Sequence, residues 1–116
     1  MKCSVLEVAD IIGKKWTLVV IQEIFLNGEK GFNYIFKRMG KISPKVLSKR
    51  LKELEEGGLV KKSILANKIP VRTLYKLTKK GEDLQKIINS LKDWTAKYSK
   101  SYKNCKDSQC SECPLY

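Results

Sequence analysis

Four cysteines are the residues of this chain best suited to covalent or metal chemistry. Cys3 lies near the N-terminus, and the other three form a C-x4-C-x2-C cluster of Cys105, Cys110 and Cys113. Thiolates at such spacing bind zinc or an iron–sulfur cluster, although both normally need a fourth ligand. Since the chain contains no histidine, Cys3 or a carboxylate such as Glu112 would have to supply that ligand. A metal site, a disulfide or redox role, and no chemical role all remain open for the cluster.

Enzymatic catalysis is not expected from the other polar residues. Without histidine, neither a Ser–His nor a Cys–His nucleophile can form, and the commonest general base is missing. The sequence shows no glycine-rich phosphate loop or paired-carboxylate motif. We therefore predict that the protein is not an enzyme, and that Trp16 and Trp94 belong to the core or to a dimer interface.

The distribution of charge indicates a polyanionic partner. The chain has 24 Lys and Arg against 12 Asp and Glu, which gives a net charge of +12. Residues 41–80 hold twelve basic and three acidic side chains, whereas the segments before and after carry only +2 and +1. Such self-repulsion is usually retained for a negatively charged partner. A general enrichment in solvated lysines is the alternative, but it would not concentrate charge in the middle third.

Length and hydropathy indicate one folded domain inside the cell. The chain has 116 residues, of which 42% are hydrophobic, a content typical of a folded protein. Its longest apolar runs, such as residues 18–21, are far shorter than the roughly 20 residues that span a bilayer. Glu7 and Asp10 interrupt any signal-peptide core. We expect a cytoplasmic protein without membrane association, with one domain at residues 1–102 and a cysteine-containing tail at 103–116.

Hydrophobic periodicity predicts four helices in the first half of the chain. Glycines or Asn–Gly end the first three, which cover residues 5–12, 16–26 and 32–39. Ser43 is a favourable N-cap for the fourth helix, Pro44 suits its first position, and Gly57–Gly58 stops it. The third and fourth helices, joined by a short turn at Gly40, have the form of a helix-turn-helix.

The fourth predicted helix separates apolar from basic residues. Leu47, Leu51 and Leu54 share one face, which we expect to pack on the core. At 100° per residue the opposite face carries lysines, with a serine at its edge: Lys45, Lys49, Lys52 and Ser48. The acids crowd the C-terminal half, so the N-terminal half is basic, and its free N–H groups add positive potential. A recognition helix inserts this half into the major groove of DNA.

A basic hairpin and a long helix are predicted after Gly58. Residues 59–66 and 71–77 are rich in β-branched and aromatic residues and flank a turn-like link. This hairpin reads as a wing, and its basic residues are Lys61, Lys62, Lys68, Arg72 and Lys76. The helix from Thr78 toward Tyr102 has an apolar stripe wider than one small domain needs, so we predict a two-fold dimer interface. The stripe comprises Leu84, Ile87, Ile88, Leu91, Trp94 and Tyr98. The fold class is mainly α with a small β-hairpin wing, an α+β winged helix-turn-helix.

In collinear order these segments resemble the HxlR-type winged-helix transcriptional regulators of the MarR-like group. The resemblance is carried by Cys3, by Trp94, and by "GKKWT" at 13–17, "ISPKVLSKRLKELEEGGLV" at 42–60 and "PVRTLYKLTKKG" at 70–81. It implies a homodimer whose terminal helices pair and whose recognition helices address a pseudo-palindromic operator in double-stranded DNA. Positions matching DNA-contacting ones in the family are Ser43, Lys45, Ser48 and Lys49 on the recognition helix, and Lys68 and Arg72 on the wing.

The resemblance also gives Cys3 a role. Some regulators of this type sense electrophiles or oxidants through a cysteine at the matching position; the alternative is that Cys3 is a small buried hydrophobic residue. The expected function is therefore a sequence-specific DNA-binding transcriptional regulator that responds to redox state or metal through its cysteines. A non-specific, architectural nucleic-acid-binding protein, which uses charge without reading bases, is the competing hypothesis.

Overall fold

The computed structural model describes residues 3–67, 69 and 72–98. Within them, helices and strands follow in the order α1 (Ser4–Ile12), α2 (Thr17–Asn27), β1 (Lys30–Gly31), α3 (Phe32–Met39), α4 (Pro44–Glu56), β2 (Val60–Leu65), β3 (Arg72–Leu77) and α5 (Lys79–Tyr98). The mainly helical, winged helix-turn-helix architecture expected from the sequence is confirmed. Four helices before residue 58 and a basic hairpin after it are present as predicted.

The sheet has one strand more than the sequence predicted. Its order is β1-β3-β2 and both pairings are antiparallel, with β2 and β3 forming the wing hairpin. β1 pairs Lys30 with Tyr75 and Gly31 with Leu74. A strand of two residues has no alternating pattern to detect, so only its pairing with β3 reveals it. This pairing joins the start of α3 to the wing.

The core lies where α2, α3 and α4 meet the sheet and α5. The helices α2 to α5, strand β2 and two connecting segments contribute to the buried cluster, whose members are Val20, Ile21, Ile24, Ile35, Met39, Ile42, Leu47, Leu51, Leu54, Leu59, Val60, Leu84 and Ile88. Burial of one such side chain contributes about 1.5–3 kcal/mol relative to exposure. The buried residues of α3 and α4 recur at the predicted helical spacing, whereas α1, which shows a similar apolar pattern, buries none of its described residues.

A buried carboxylate fastens α3 to α2. Glu23 is only 2% exposed, and its Oε2 accepts a hydrogen bond of 3.0 Å from Nδ2 of Asn27. The guanidinium of Arg38 on α3 lies 4.0 Å from the same oxygen, and the Tyr34 hydroxyl donates to Oδ1 of Asn27 at 3.3 Å. A charge buried at such a place requires partners, so these contacts fix how the helix-turn-helix sits on α2.

Two turns define the ends of α4. Gly40, with φ 76°, reverses the chain after α3 in a conformation that disfavours other residues. At the other end, Gly58 has φ 75°, and its carbonyl accepts a hydrogen bond from the Thr78 hydroxyl. The same hydroxyl oxygen accepts the N–H of Gly81 at 3.2 Å. Thr78 therefore ties the first turn of α5 to the end of α4.

The last helix was predicted from Thr78 toward Tyr102, and the described part of it spans Lys79–Tyr98. The predicted tail at 103–116 lies outside the described residues, as do Lys68 and residues 99–102. Among the helices that are described, none combines the length and the hydrophobicity needed to cross a membrane.

Candidate nucleic-acid interface

α4 is held in place at its start and along one face. The Ser43 hydroxyl accepts the N–H of Val46 at 3.1 Å, and Pro44 occupies the first helical position. Ser43 is therefore engaged as the N-cap, with its hydroxyl proton still available to a ligand. The three leucines on the inner face are at most 1% exposed: Leu47, Leu51 and Leu54. Packing and capping together hold this face of the helix against the core and limit its tilt.

The outer face of α4 is a row of exposed polar and basic side chains. Lys45, Ser48, Lys49 and Lys52 are all exposed, as the helical spacing predicted. The backbone N–H groups at the helix start that Ser43 does not bond lie in the same half and favour an anion there. An exposed, largely positive helix face on a rigid support can contact phosphates and base edges of duplex DNA.

The wing carries further positive charge. Arg72 begins β3 opposite Leu65 and is exposed. Lys61 and Lys76 are direct cross-strand partners, and both are exposed. Like charges directly opposite each other destabilise an antiparallel pair, and a polyanion would relieve this repulsion. Lys68, the other predicted wing contact, lies outside the described residues.

Two clefts lie between the helix-turn-helix and the wing. One, of about 490 Å³, lies between α4 and the wing and is lined by Ser48, Lys52, Glu55 and Glu56 of α4 and by Lys62 and Tyr75 of the wing. Burial, and secondarily the charge of Glu55, raises the pKa of the Tyr75 hydroxyl, so this hydroxyl stays protonated and can donate a hydrogen bond. Two of the predicted DNA-contacting residues thus lie beside groups of the wing.

The second cleft, of about 560 Å³, lies between α3 and β3 and adds a residue that the sequence did not reveal. Lys37 of α3 and Arg72 of β3 both line it, together with Asn33 and Tyr34. The sequence does not single out Lys37, because it is one lysine among many. Its position as a cation on the first helix of a helix-turn-helix is the feature that could have indicated a DNA contact. In this motif the first helix crosses the DNA backbone, so cations at this place are suited to contact a phosphate.

Cys3 lies at the N-cap position of α1 and is exposed. Within the single chain, Cys3 is therefore not packed in the hydrophobic core. Its side chain does not close the helix with a cap hydrogen bond, but the backbone N–H groups of Leu6 and then Val5 lower the pKa of the thiol. A larger thiolate fraction makes a cysteine more reactive toward oxidants, electrophiles and metal ions.

The residues of the predicted metal site lie outside the described part of the chain. They are Cys105, Cys110, Cys113 and the candidate fourth ligand Glu112. Within the described ranges, no group of three or more cysteine, aspartate or glutamate side chains could hold a metal ion. Zinc or an iron–sulfur cluster at the tail stays a prediction.

The predicted dimer residues of α5 divide between two environments. Leu84 and Ile88 are 7% and 5% exposed because α5 packs on α2, so they belong to the core of their own chain. Leu91, Trp94 and Tyr98 are exposed, and the Trp94 and Tyr98 rings lie 5.6 Å apart. An apolar groove of about 220 Å³ between α2 and α5 adjoins Leu91.

α1 also exposes apolar side chains. Val5 is 70% and Leu6 65% exposed, and the described residues of α1 include none that is buried. Contiguous apolar surface of this kind usually marks an interaction site. The two terminal helices thus present the uncovered apolar faces from which an interface could form.

Comparison with known proteins relates this geometry to a family. The family model described as HxlR-like helix-turn-helix matches residues 11–103. The HTH-type transcriptional regulator YvaP of Bacillus subtilis (strain 168) is 37% identical over 89 residues, which cover 77% of this chain and 81% of that protein. YodB, an HTH-type transcriptional regulator of the same organism, is 34% identical over 97 residues, covering 83% and 85%.

Solved structures agree with the sequence relatives. The reduced form of the transcriptional regulator YodB from B. subtilis has a TM-score of 0.74 and 33% identity, covering 88% of this chain and 99% of that one. The redox regulator HypR in its oxidised form has a TM-score of 0.74 and 29% identity, covering 84% and 98%. The chain, with its exposed basic recognition helix and wing, therefore belongs to the HxlR-like helix-turn-helix family of transcriptional regulators, which is not a family of enzymes.

Proposed function

We propose that this regulator binds double-stranded DNA sequence-specifically as a homodimer, with one α4 in the major groove of each half of a pseudo-palindromic operator. The observation that carries the proposal is the exposed basic face of α4 on a helix fixed by its cap and its buried leucines. Lys45, Lys49 and Ser48 are the side chains proposed to reach base edges, since they lie in the N-terminal half. Lys52 lies farther along and contacts the backbone.

The wing and α3 supply contacts that position the protein without reading sequence. Arg72 and Lys37, on the two walls of one cleft, would grip a phosphate, and the paired Lys61 and Lys76 would lie near the backbone. Each phosphate neutralised by a basic side chain contributes about 0.9 to the slope of log affinity against log salt. Lys68 keeps its proposed backbone contact from the family resemblance.

The dimer would bury the exposed faces of α1 and α5. Leu91, Trp94, Tyr98 and Ile87 on α5, with Val5 on α1, are the side chains available for a two-fold interface. Such an interface sets the two recognition helices about one turn of DNA apart. Leu84 and Ile88 would support it from the core rather than contact the partner.

Cys3 makes the DNA affinity responsive to redox state. Support comes from its exposure and lowered pKa and from two relatives, since YodB has been solved in reduced, diamide-treated and quinone-bound forms and HypR is described as a redox regulator. The Cys3 thiolate would add to a quinone-like electrophile, forming a C–S bond while the ring takes up a proton. Alternatively, it would attack a peroxide, breaking the O–O bond, so that the thiol becomes a sulfenic acid and the peroxide is reduced to water or an alcohol. Because α1 is proposed to lie at the interface, this change alters the spacing of the recognition helices.

The decisive experiment selects bound sequences from random duplex DNA with reduced and oxidised protein in parallel. We expect an inverted repeat to be enriched with reduced protein, and a different yield of the same repeat after oxidation. Lys45→Ala/Lys49→Ala should abolish enrichment, whereas Lys79→Ala/Lys86→Ala removes the same charge from exposed positions on α5 and should leave it intact. If no sequence is enriched and unrelated duplexes bind equally well, the protein is a non-specific nucleic-acid-binding protein instead.

A further inference from the structure

An ionic bridge joins α4 to the segment between α1 and α2. Lys14 Nζ lies 2.9 Å from Oε2 of Glu53, and Nη1 of Arg50 lies 2.9 Å from Oε1 of the same carboxylate. The Nε of Arg50 also donates to the backbone carbonyl of Lys15 at 3.1 Å. Two neighbouring residues of the segment are thus attached to two residues one helical turn apart on α4.

The bridge is more than a solvated surface pair. The Arg50 side chain is 14% exposed and that of Glu53 28%, while only Lys14 is close to half exposed. The hydrogen bond from Lys14, together with the charge of Arg50, lowers the pKa of the Glu53 carboxyl. A partly buried carboxylate with both oxygens bonded to cations holds its geometry better than a single exposed pair.

The segment that α4 grips has a constrained backbone. Trp16 has φ 80°, the left-handed region that bulky residues rarely adopt. Gly13 donates its N–H to the Ala9 carbonyl at 2.8 Å, which continues the hydrogen bonding of α1 into the segment. Unusual backbone conformations persist where surrounding contacts over-determine them, and the two attachments to Arg50 and Glu53 are such contacts. α1, the segment and α4 are therefore mechanically connected.

The position of the bridge on α4 relates it to DNA reading. Arg50 and Glu53 directly follow Lys49 and Lys52 in the sequence and lie about 100° around the helix from them. A rotation of α4 that breaks the bridge would therefore redirect both lysines. The buried leucines limit tilt, but they are apolar and specify rotation less sharply than directional hydrogen bonds do.

We propose that Glu53, acting through Arg50 and Lys14, is a positioning residue that fixes the rotation of α4 and couples it to α1. The proposal rests on the function proposed above, because the coupling matters only if α4 reads DNA. The bridge makes specific recognition depend on the orientation of the N-terminal helix, and hence connects Cys3 to the reading face.

The test compares operator with random DNA for bridge variants and a charge-matched control. Glu53→Gln and Arg50→Met break the bridge, and Asp83→Asn removes the same charge as Glu53→Gln from an exposed ion pair on α5. We expect the operator-to-random affinity ratio to fall by roughly tenfold in the first two variants and to stay unchanged in Asp83→Asn. Arg50→Lys keeps a cation that can pair with Glu53, so its affinity ratio should lie between those of Arg50→Met and the wild type. If Arg50 only filled space, Arg50→Lys and Arg50→Met would have the same ratio.

A second measurement probes the coupling to α1. In a protein with the tail cysteines replaced by serine, operator binding should change the alkylation rate of Cys3, and Glu53→Gln should remove that change. If Glu53→Gln fails to fold, Lys14→Met breaks the same ion pair. Because the Lys14 side chain is about half exposed, this change should disturb folding less.

The outcomes are separable. The coupling would be overturned if the bridge variants kept the operator-to-random affinity ratio of Asp83→Asn. It would also be overturned if operator binding changed the alkylation rate of Cys3 equally with and without the bridge. A wild-type protein that does not discriminate operator from random DNA would overturn the proposed function itself, and the coupling with it.

Discussion

Replacing Lys49 by alanine tests whether α4 reads bases. The Lys49 side chain is exposed on the face of α4 opposite the buried Leu47 and Leu51. Its truncation therefore removes no core contact. We expect the free energy of unfolding to change by less than about 0.5 kcal/mol. Any large effect on DNA binding would then come from a lost contact with DNA.

The magnitude follows from the two-fold symmetry of the proposed complex. One specific base contact is worth about 1–3 kcal/mol, and the dimer would lose two copies, hence about 2–6 kcal/mol. The lower limit corresponds to roughly a thirtyfold loss of operator affinity. Affinity for random DNA should fall much less, because only the electrostatic attraction of the lysine is lost.

Arg72→Ala is the matched variant on the wing. It also removes one exposed cation per chain, but from a residue proposed to contact phosphate. Operator and random DNA should therefore lose affinity by the same factor. The slope of log affinity against log salt should become shallower by about 1.8 for the dimer, since each contact contributes about 0.9.

Fluorescence anisotropy with labelled operator and random duplexes, titrated over a range of salt concentrations, measures the affinities of the wild-type protein and of both variants for each duplex, and their salt slopes. The reasoning about Lys49 is refuted if its alanine variant weakens both duplexes equally, since this is the behaviour of a phosphate contact. Unchanged binding to both duplexes would show that the outer face of α4 is not the DNA-reading surface.

Three further predictions address assembly, the thiol and the cap. Leu91→Asp should convert the dimer to monomers with much weaker operator binding, whereas the neighbouring Ser90→Asp should leave the dimer intact. Sedimentation of the wild-type protein as a monomer at micromolar concentration would contradict the interface. With the tail cysteines replaced by serine, the alkylation rate of Cys3 should reach half its maximum at a lower pH in the folded protein than in the urea-unfolded chain, because the fold lowers the pKa of this thiol; an equal or higher midpoint in the folded protein would exclude an activated thiol. Ser43→Ala removes the hydrogen bond to the Val46 N–H and should lower the free energy of unfolding by about 1 kcal/mol, measured by urea denaturation; Ser43→Asp, which can cap the helix, should restore it.

The elements that the sequence predicted well are those whose signals are local. Leu47, Leu51 and Leu54 recur at helical spacing, so the buried face of α4 and its opposite lysine face follow from the geometry of one helix. Both ends of α4 could also be predicted, because Ser43 favours the start of a helix and Gly58 favours its end. Such inferences need no knowledge of what the helix packs against.

The sequence pattern failed where a residue's surroundings are supplied by a distant element. The apolar stripe of α5 was assigned to one interface, but docking on α2 buries Leu84 and Ile88 and leaves Trp94 exposed. Periodicity identifies an apolar face; it does not divide that face between the chain's own core and a partner.

The sequence alone determined the helices, the helix-turn-helix and the basic character of its second helix, because helical periodicity and capping act over a few neighbouring residues. Tertiary structure alone decided the pairing of Lys30 with Tyr75, the cleft shared by Lys37 and Arg72, and the bridge between Lys14 and Glu53, which are 39 residues apart. Each of these contacts exists only once separate elements have docked. Their free energy depends on distances and burial that no local pattern encodes.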